Sequence, residues 1–165
     1  MRTNFSIGLA AIILCACGGG GGDSGGGPVT LVGYVPGVFD MFHVGHLRIL
    51  QRSAERCDRL VAGIVDSAAT RSMKGADPLV DLEERLEIVS AVACVDDAVI
   101  DHAQSKLEVW ERVRFDVLFK GDDWRGTPKG DLLEAELATV GARVVYLPYT
   151  PETSSTHFRG QVNGS

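Results

Sequence analysis

The sequence lacks three features that would place it in a specialised class of protein. No apolar run reaches the roughly 18 residues that a membrane-spanning helix requires, which excludes an integral membrane protein. Lysine and arginine number 16 against 22 aspartates and glutamates, and the net charge of −6 argues against a general nucleic-acid binder. The four cysteines form no Cys-x-x-Cys pair and no Cys/His cluster, so neither a zinc site nor a disulfide framework is indicated. We expect Cys57 and Cys94 to be buried, reduced thiols.

Enough apolar sequence remains for one packed domain. The chain has 165 residues, of which 45 % are hydrophobic and 23 % charged, and this composition predicts a globular core rather than disorder. Eight of the 20 glycines lie between residues 18 and 27, so the glycine excess belongs to one segment and not to the fold. We therefore expect residues 29–165 to form the domain and residues 1–28 to lie outside it.

The N-terminal residues resemble a targeting segment. Arg2 precedes a short apolar run at residues 7–17, a pattern that is typical of a secretory signal. The tetrad Leu-Cys-Ala-Cys that ends at Cys17 resembles a bacterial lipobox, in which the last cysteine is lipidated and the Gly/Ser stretch becomes a flexible tether. A wrong translation start is the competing interpretation.

From residue 29 onward, strand-like runs alternate with helical patterns. Apolar runs predict strands at residues 29–35, 59–65, 97–100, 115–120 and 142–147. Apolar spacing predicts helices over residues 44–57, after a cap at Asp81, around residues 107–113 and around residues 131–139. This alternation predicts βαβ units with right-handed crossovers, and therefore a Rossmann-like, doubly wound α/β domain with a parallel sheet. Ligands of such sheets bind beyond the carboxyl ends of the strands.

The segment after the first predicted strand, residues 36–50, carries a histidine pair. Gly37 is expected to allow a tight turn, and His43 and His46 lie three residues apart in the first turn of the next helix, on the same side. Unpaired backbone N–H groups and the positive end of the helix dipole point to the same place. The arrangement suits polyphosphate oxygens, and Gly45 lets a phosphate approach the backbone. Surface histidines or half of a metal site are the competing interpretations.

The run GVFDMFHVGHLRIL resembles the G-x-F-D-x-x-H-x-G-H signature of the cytidylyltransferases, within the larger HxGH nucleotidyltransferase superfamily. With the three segments described next, the resemblance extends over nearly all of the chain from Val29 to Gly160, and the glycerol-3-phosphate cytidylyltransferases are its most similar members. It implies that the following residues of this segment contact the nucleotide: Val38, Phe39, Asp40, His43, Gly45 and His46.

The second segment, residues 72–89, offers two phosphate ligands. Lys74 is expected in a Gly- and Pro-containing loop, from which a flexible lysine can swing onto a phosphate. Arg85, on the helix that follows, presents a fixed fork for phosphate oxygens. The resemblance implies that both residues gather the triphosphate. Three glutamates surround Arg85 in sequence, so a surface ion pair is the competing interpretation for it.

The third segment, residues 119–126, follows a buried strand. The tetrad Gly121, Asp122, Asp123 and Trp124 looks like the one found in glycerol-3-phosphate cytidylyltransferases. Its carboxylates can hold nucleoside hydroxyls or a magnesium-bound water, and Trp124 is expected to cover the pocket. Ordinary turn formation is the competing interpretation.

The fourth segment, residues 149–160, supplies hydroxyl groups. Ser154, Ser155 and Thr156 at the start of a last predicted helix would donate hydrogen bonds to phosphate oxygens, although simple helix capping needs only one of them. The family's motif here reads R-T-E-G-I-S-T-T, whereas this chain begins with Tyr149 and Thr150, so the leading arginine is absent. Ala93 replaces a second arginine of the family.

The resemblance implies attack by a substrate phosphate on the α-phosphorus of a nucleoside triphosphate, with Mg²⁺ bridging oxygens and pyrophosphate leaving. Transfer of CMP from CTP to a small phospho-alcohol such as glycerol 3-phosphate is the first expectation. Adenylyl transfer to a sugar phosphate, as in the similar nucleotidyltransferase half of heptose-activating enzymes, is the second, and the two absent arginines favour it. A catalytically silent, surface-tethered protein is the third. We expect a homodimer that binds no nucleic acid and is cytoplasmic, or else is anchored to a membrane through Cys17.

Overall fold

The computed structural model describes residues 30–102 and 105–148, except for the side chain of Lys74. The predicted boundary between residues 1–28 and the domain lies outside the described residues. The same holds for the fourth segment, with Tyr149, Thr150, Ser154, Ser155 and Thr156.

The core of the fold is a five-stranded sheet in which every neighbouring pair of strands is parallel. Its strands are β1 (Val32–Gly37), β2 (Arg59–Val65), β3 (Asp97–Asp101), β4 (Val117–Gly121) and β5 (Arg143–Leu147). The order across the sheet is β3-β2-β1-β4-β5. Each strand overlaps a predicted apolar run, and the predicted Rossmann-like α/β fold is confirmed.

Helices connect all successive strands. They are α1 (Val44–Ala54), α2 (Ser67–Lys74), α3 (Leu82–Ser90), α4 (Lys106–Val113) and α5 (Pro128–Ala138). Side-chain caps define several of the starts: Asp66 accepts a hydrogen bond from the Ala69 amide, and Thr127 accepts one from the Gly130 amide. Asp81 stands at the N-cap of α3 as predicted, but its side chain makes no capping hydrogen bond.

Helix α2 was not predicted, because its sequence SAATRSMK has too few apolar residues to form a periodic stripe. Lys74 is consequently the last residue of a helix rather than part of a loop, which corrects the sequence-based expectation. Gly75 ends this helix with a φ of 73°, a left-handed conformation that glycine adopts without steric cost.

The helices cover both faces of the sheet and bury one apolar cluster on each. Helices α1 and α3 contribute Leu50 and Val89 to the first cluster, which also contains Val35, Phe39 and Phe119. Helices α4 and α5 pack on the opposite face, in a second cluster made of Tyr34, Val61, Val109, Phe115, Leu118, Leu133, Leu137 and Ala142. Two covered faces explain why the strands read as continuous apolar runs.

A buried ion pair closes the second face near the carboxyl end of β3. Asp101 is fully buried and accepts hydrogen bonds from the Tyr34 hydroxyl at 2.9 Å and from Lys106 Nζ at 2.5 Å. Burial, together with the adjacent Asp101 carboxylate, raises the pKa of Tyr34. Gly63 is required beside it, because a Cβ at this position would lie 1.8 Å from the Tyr34 hydroxyl oxygen.

The ladder between β1 and β4 is much shorter than the ladder between β1 and β2. Six residue pairs join β1 to β2, from Val32 to Gly37, whereas β4 pairs with β1 only at Gly33 and Tyr34. The chain also reverses its direction of progress across the sheet at this point, since β2 and β3 lie on one side of β1 and β4 and β5 on the other. The carboxyl ends of β1 and β4 therefore border the crevice in which such folds bind ligands.

Within the described residues, no helix has the length and apolarity that crossing a bilayer demands. Cys57 and Cys94 are both half-buried and free of disulfide bonds. Burial raises the pKa of both thiols, which favours their protonated form.

Candidate active site

The loop between β1 and α1, residues 38–43, has an unusual backbone. Phe39 and Met41 have φ angles of 53° and 48°, in the left-handed region of backbone conformation that residues other than glycine rarely adopt. Each such residue costs about 1–3 kcal/mol and persists only where its surroundings hold it. The Phe39 ring is buried in the first cluster, and a Cβ on Gly37 would lie 2.9 Å from that ring. Close approach of Phe39, and not the predicted tight turn, therefore requires glycine at residue 37.

This loop delivers His43 and His46 to the start of α1 as a stacked pair. Their ring centroids are 3.9 Å apart with an interplanar angle of 25°. Phe39 packs edge-on against His46, with centroids 5.3 Å apart, and Phe42 lies 5.6 Å from it. The sequence-based prediction that the two imidazoles lie on the same side of the helix agrees with this geometry.

Hydrogen bonds to the backbone define the tautomer of both rings. The Gly45 amide donates to His43 Nδ1 at 3.1 Å, and the His43 amide donates to His46 Nδ1 at 3.4 Å. A nitrogen that accepts from an amide carries no proton, so the ring hydrogen of each neutral imidazole is on Nε2. Burial lowers the pKa of His43, which further favours this neutral form. Both rings can consequently donate an Nε2–H hydrogen bond to an anion.

The amide groups of the first helical turn are used differently from the sequence-based expectation. Gly45 donates its N–H to His43 Nδ1, and His46 donates its N–H to the His43 carbonyl at 2.9 Å. These two amides are thus engaged by the capping histidine. The imidazoles, rather than these two N–H groups, are the donors that the helix start presents.

Asp40 is buried beneath the same loop. Its exposed fraction is 3 %, and its Oδ1 accepts hydrogen bonds from the Leu79 and Val80 amides, both at 3.0 Å. The carboxylate therefore joins the loop after β1 to the segment that connects α2 with α3. The resemblance implies that Asp40 contacts the nucleotide. In the structure, its Oδ1 atom is the acceptor for these two backbone amides.

Arg85 lies under the loop and is only 1 % exposed. Its Nε donates to the Val80 carbonyl at 2.9 Å, and its Nη1 donates to the carbonyls of Val38 and Val65 at 2.6 and 2.8 Å. Its Nη2 is buried without a hydrogen-bond partner among the residues that the structure describes. Burial lowers the pKa of Arg85, and the nearby Asp40 carboxylate opposes this shift. This buried placement differs from the surface ion pair that was the competing interpretation, while the phosphate contact stays a prediction.

The carboxyl end of β4 continues into a short 3-10 turn, Asp122–Trp124. Asp122 and Asp123 are exposed, while Trp124 is half-buried and packs against the second cluster. Lys120 Nζ lies 4.2 Å from the centroid of the Trp124 ring, at cation–π distance. Sequence reasoning missed Lys120. Its place at the end of a predicted strand, directly before Gly121, is a sequence feature that could have indicated a residue at the ligand-binding edge of the sheet.

A second pair of polar side chains lies at the carboxyl ends of β2 and β3. His102 Nδ1 is 2.6 Å from Asp66 Oδ2, and the His102 side chain is 61 % exposed. The Ala69 amide, followed by His102, lowers the pKa of Asp66. Sequence reasoning missed this pair, because its members lie 36 residues apart.

The described part of the chain contains no group of three or more His, Cys, Asp or Glu side chains that could hold a metal ion. Mg²⁺ in phosphate-transfer sites is commonly held by one or two carboxylates together with substrate phosphates. Asp122 and Asp123 at the end of β4 offer carboxylates of this kind, so the donor set fits a magnesium ion that arrives with the nucleotide.

The structure thus gathers two of the predicted segments at the crevice between β1 and β4. The histidines follow β1, and the Gly-Asp-Asp-Trp tetrad follows β4, its neighbour in the sheet. Arg85 and Asp40 lie below the loop. A doubly wound parallel sheet with a His-x-Gly-His helix start at its switch point defines a Rossmann-like domain of the nucleotidyltransferase class.

The comparison with known families agrees with this class. Residues 34–161 match the family described as Cytidylyltransferase-like, and the chain belongs to this family. The matched range begins within β1 and includes the histidine pair, Arg85 and the tetrad after β4.

Curated relatives include two proteins named Bifunctional protein HldE. The one from Syntrophotalea carbinolica is 33 % identical over 127 residues, which are 76 % of this chain and 26 % of that protein. The one from Geobacter metallireducens is 34 % identical over 125 residues, or 75 % of this chain and 25 % of that protein. The match thus spans about a quarter of the length of these relatives.

Solved structures show the same fold. The lipopolysaccharide core biosynthesis protein from Thermoplasma volcanium matches with a TM-score of 0.63 and 25 % identity, over 73 % of this chain and 97 % of that one. Pantothenate synthetase from Thermus thermophilus matches with a TM-score of 0.54 and 15 % identity, over 73 % of this chain and 56 % of that one. The second similarity concerns the fold alone.

Proposed function

We propose that this chain transfers a nucleotidyl group from a nucleoside triphosphate to a small phosphomonoester. A phosphate oxygen of the acceptor forms a bond to the α-phosphorus, the bond from that phosphorus to the bridging oxygen of the β-phosphate breaks, and pyrophosphate leaves. The stacked pair of His43 and His46 at the switch point is the observation that carries this proposal. Family membership supports the same reaction class.

The histidines act as neutral hydrogen-bond donors in this proposal. Both Nδ1 atoms accept from backbone amides, so both Nε2–H groups are oriented by the fold before substrate arrives. Preorganised donors aimed at the charge that develops in a transition state cost no reorganisation during the reaction. The acceptor phosphate is already an anion near neutral pH, so the chain needs neither a nucleophile of its own nor a general base.

Further residues are proposed to complete the phosphate site. Lys74 ends α2 and would add a positive charge, and Ser154, Ser155 and Thr156 would donate hydroxyl hydrogen bonds. Mg²⁺ would be held by the triphosphate and by Asp122 or Asp123, and when bound it would neutralise part of the phosphate charge.

Adenylyl transfer to a sugar phosphate is the substrate pairing that the comparisons favour. The relatives named Bifunctional protein HldE are 33 % and 34 % identical to this chain over the matched region, and they favour the resemblance to heptose-activating enzymes. Tyr149 and Ala93 occupy positions where the cytidylyltransferase pattern has arginines, and each lost charge-assisted hydrogen bond would weaken CTP binding by about 1.5–3 kcal/mol.

Cytidylyl transfer to a phospho-alcohol is the second candidate. The tetrad of residues 121–124 favours it, because it looks like that of the glycerol-3-phosphate cytidylyltransferases. We further propose that the protein acts as a homodimer in the cytoplasm. Light scattering on the purified chain tests the first of these two statements.

A matrix of triphosphates and acceptors tests the proposed reaction. Pyrophosphate release would be measured for ATP, CTP, GTP and UTP, each with a heptose phosphate, another sugar phosphate and glycerol 3-phosphate. We expect acceptor-dependent release with ATP and a sugar phosphate. A preference for CTP with glycerol 3-phosphate would establish the second candidate, and the absence of release from every pair would contradict nucleotidyl transfer.

A further inference from the structure

In the loop that precedes the histidines, residues with a left-handed backbone alternate with residues that hydrogen-bond to distant parts of the chain. Phe39 and Met41 have left-handed φ angles, and the residues that precede them, Val38 and Asp40, carry the long-range hydrogen bonds of the loop. Val38 offers its carbonyl to Arg85, and Asp40 offers its carboxylate to the Leu79 and Val80 amides. Left-handed non-glycine residues persist only when the surroundings fix them.

Arg85 connects three separate parts of the fold. Its guanidinium donates to the carbonyls of Val38 after β1, of Val65 at the end of β2 and of Val80 before α3. A planar guanidinium with several N–H donors can hold three carbonyls in fixed directions, which a lysine cannot do. The side chain is 1 % exposed, and its three hydrogen bonds to backbone carbonyls hold these parts of the chain together. We call this arrangement the brace.

Asp40 joins the same two segments through different hydrogen bonds. Val80 donates its amide to Asp40 and accepts at its carbonyl from Arg85. The loop of residues 38–43 is therefore bound to residues 79–80 by two side chains with independent hydrogen bonds. Residues 79–80 also follow helix α2, which ends at Lys74.

We propose that Arg85 and Asp40 are positioning residues, which hold the strained loop of residues 38–43 against residues 79–80 and so keep His43 and His46 stacked and aimed at the crevice. The proposal rests on the proposed function of the histidines. It assigns to Arg85 and Asp40 a role different from the nucleotide contacts that the family resemblance implies.

Hydrogen–deuterium exchange on the protein without substrate tests the brace itself. The variants are Arg85→Lys, which keeps the charge but loses the fork, and Asp40→Ala. We expect exchange of the peptide of residues 38–46 to rise about tenfold in both, while helix α5 exchanges as in the wild type. The matched control is Val109→Ala, which is fully buried in helix α4 and belongs to the second cluster, on the face of the sheet away from Phe39. It should lower the melting temperature and leave loop exchange within about twofold.

Steady-state kinetics distinguish positioning from direct phosphate contact. A displaced donor costs transition-state stabilisation, so Arg85→Lys and Asp40→Ala should lower kcat by about 10²-fold and change KM for the triphosphate much less. Val109→Ala should keep its kcat at a temperature where all variants are folded. A large rise in KM for the triphosphate with unchanged loop exchange would overturn the proposal and establish Arg85 as a phosphate ligand.

Rescue provides a second criterion. Glycine adopts a left-handed φ without a Cβ penalty, so Met41→Gly reduces the strain that the brace must hold. In the Arg85→Lys background it should restore kcat several-fold, and no recovery would contradict the strain argument. If Arg85→Lys is unfolded, the same comparison is made with Asp40→Ala, which removes the oxygen that accepts from both amides. If no triphosphate supports turnover, the exchange result still decides whether the brace exists.

Discussion

The substitution His43→Asn separates the two tasks that His43 performs. Its Nδ1 caps helix α1 by accepting from the Gly45 amide, and its Nε2–H is the proposed phosphate donor. Asparagine is among the best N-cap residues, because its side-chain oxygen accepts the same amide hydrogen bond. The variant therefore keeps the cap and loses the Nε2–H donor, because the shorter asparagine amide does not reach the position of Nε2. We expect its melting temperature to match the wild type and its kcat to fall.

The magnitudes follow from the two contacts. Removing one donor that stabilises transition-state charge costs about 2.7–4 kcal/mol, or about 10²–10³ in kcat. The companion variant His43→Ala loses the cap as well. Loss of the cap should lower the free energy of unfolding by about 1 kcal/mol and the melting temperature by about 2–4 °C. His46→Ala leaves the Gly45 cap intact and should resemble the asparagine variant in kcat.

Pyrophosphate release and thermal melts on the same protein preparations measure both effects. The expected pattern is an equal loss of kcat in His43→Asn and His43→Ala, with a lower melting temperature only in the alanine variant. Turnover of the asparagine variant near the wild-type rate would refute the role of the Nε2–H group. An asparagine variant as unstable as the alanine variant would refute the capping assignment.

Further predictions concern pH, the core and the N-terminus. Because burial lowers the pKa of His43 in the folded state, the unfolded chain binds more protons, so the contribution of this residue to stability is present above its ordinary pKa of about 6.5 and is lost as the pH falls below it; melting curves from pH 7.5 to 5 should show a smaller decrease in His43→Asn than in the wild type. Gly63→Ala should destabilise strongly, since its Cβ would lie 1.8 Å from the Tyr34 hydroxyl oxygen and 2.4 Å from the ring carbon Cζ, and adding Tyr34→Phe should leave most of this loss in place because the ring remains; a melting temperature of Gly63→Ala near that of the wild type would refute this close approach. Tyr34→Phe alone should cost about 1.5–3 kcal/mol through its lost bond to Asp101, measured by urea unfolding. A shortened chain that begins at Val29 should keep the melting temperature and turnover of the full chain under reducing conditions, because ordering a glycine-rich stretch costs about 1–2 kcal/mol per residue; a melting temperature several degrees lower would show that residues 1–28 belong to the fold.

The alternation of strands with helices and the two-faced packing could be predicted because both depend on local apolar patterns. Runs such as residues 59–65 are apolar throughout, and a strand covered on both faces requires this. Helix α2 could not be predicted because its sequence has no apolar stripe with helical spacing. Its start depends instead on the Asp66 cap and its end on Gly75.

The candidate site was predictable where the motif is contiguous in sequence. His43 and His46 lie three residues apart at the start of α1, so their common side could be predicted from the spacing, although His43 is the N-cap residue and has an extended backbone. The burial of Arg85 could not be predicted, because the glutamates beside it made a surface ion pair the competing interpretation, whereas its partners are carbonyls up to 47 residues away. Asp40 binds amides 39 and 40 residues later in the chain, and no local pattern reveals such a contact.

The two-residue ladder between β1 and β4 has a structural consequence. Strands β3, β2 and β1 form one continuously hydrogen-bonded group, and β4 with β5 forms another. Among the strands that the structure describes, only Gly33 and Tyr34 pair these groups, at the end of the sheet opposite the histidines. Beyond Tyr34, the residues of β1 that lead to the histidines pair with β2 alone among the described strands. The crevice between the histidines and the tetrad after β4 is therefore a gap in the hydrogen bonding of the sheet, where a ligand can lie between the two strand ends without displacing a backbone hydrogen bond of the sheet.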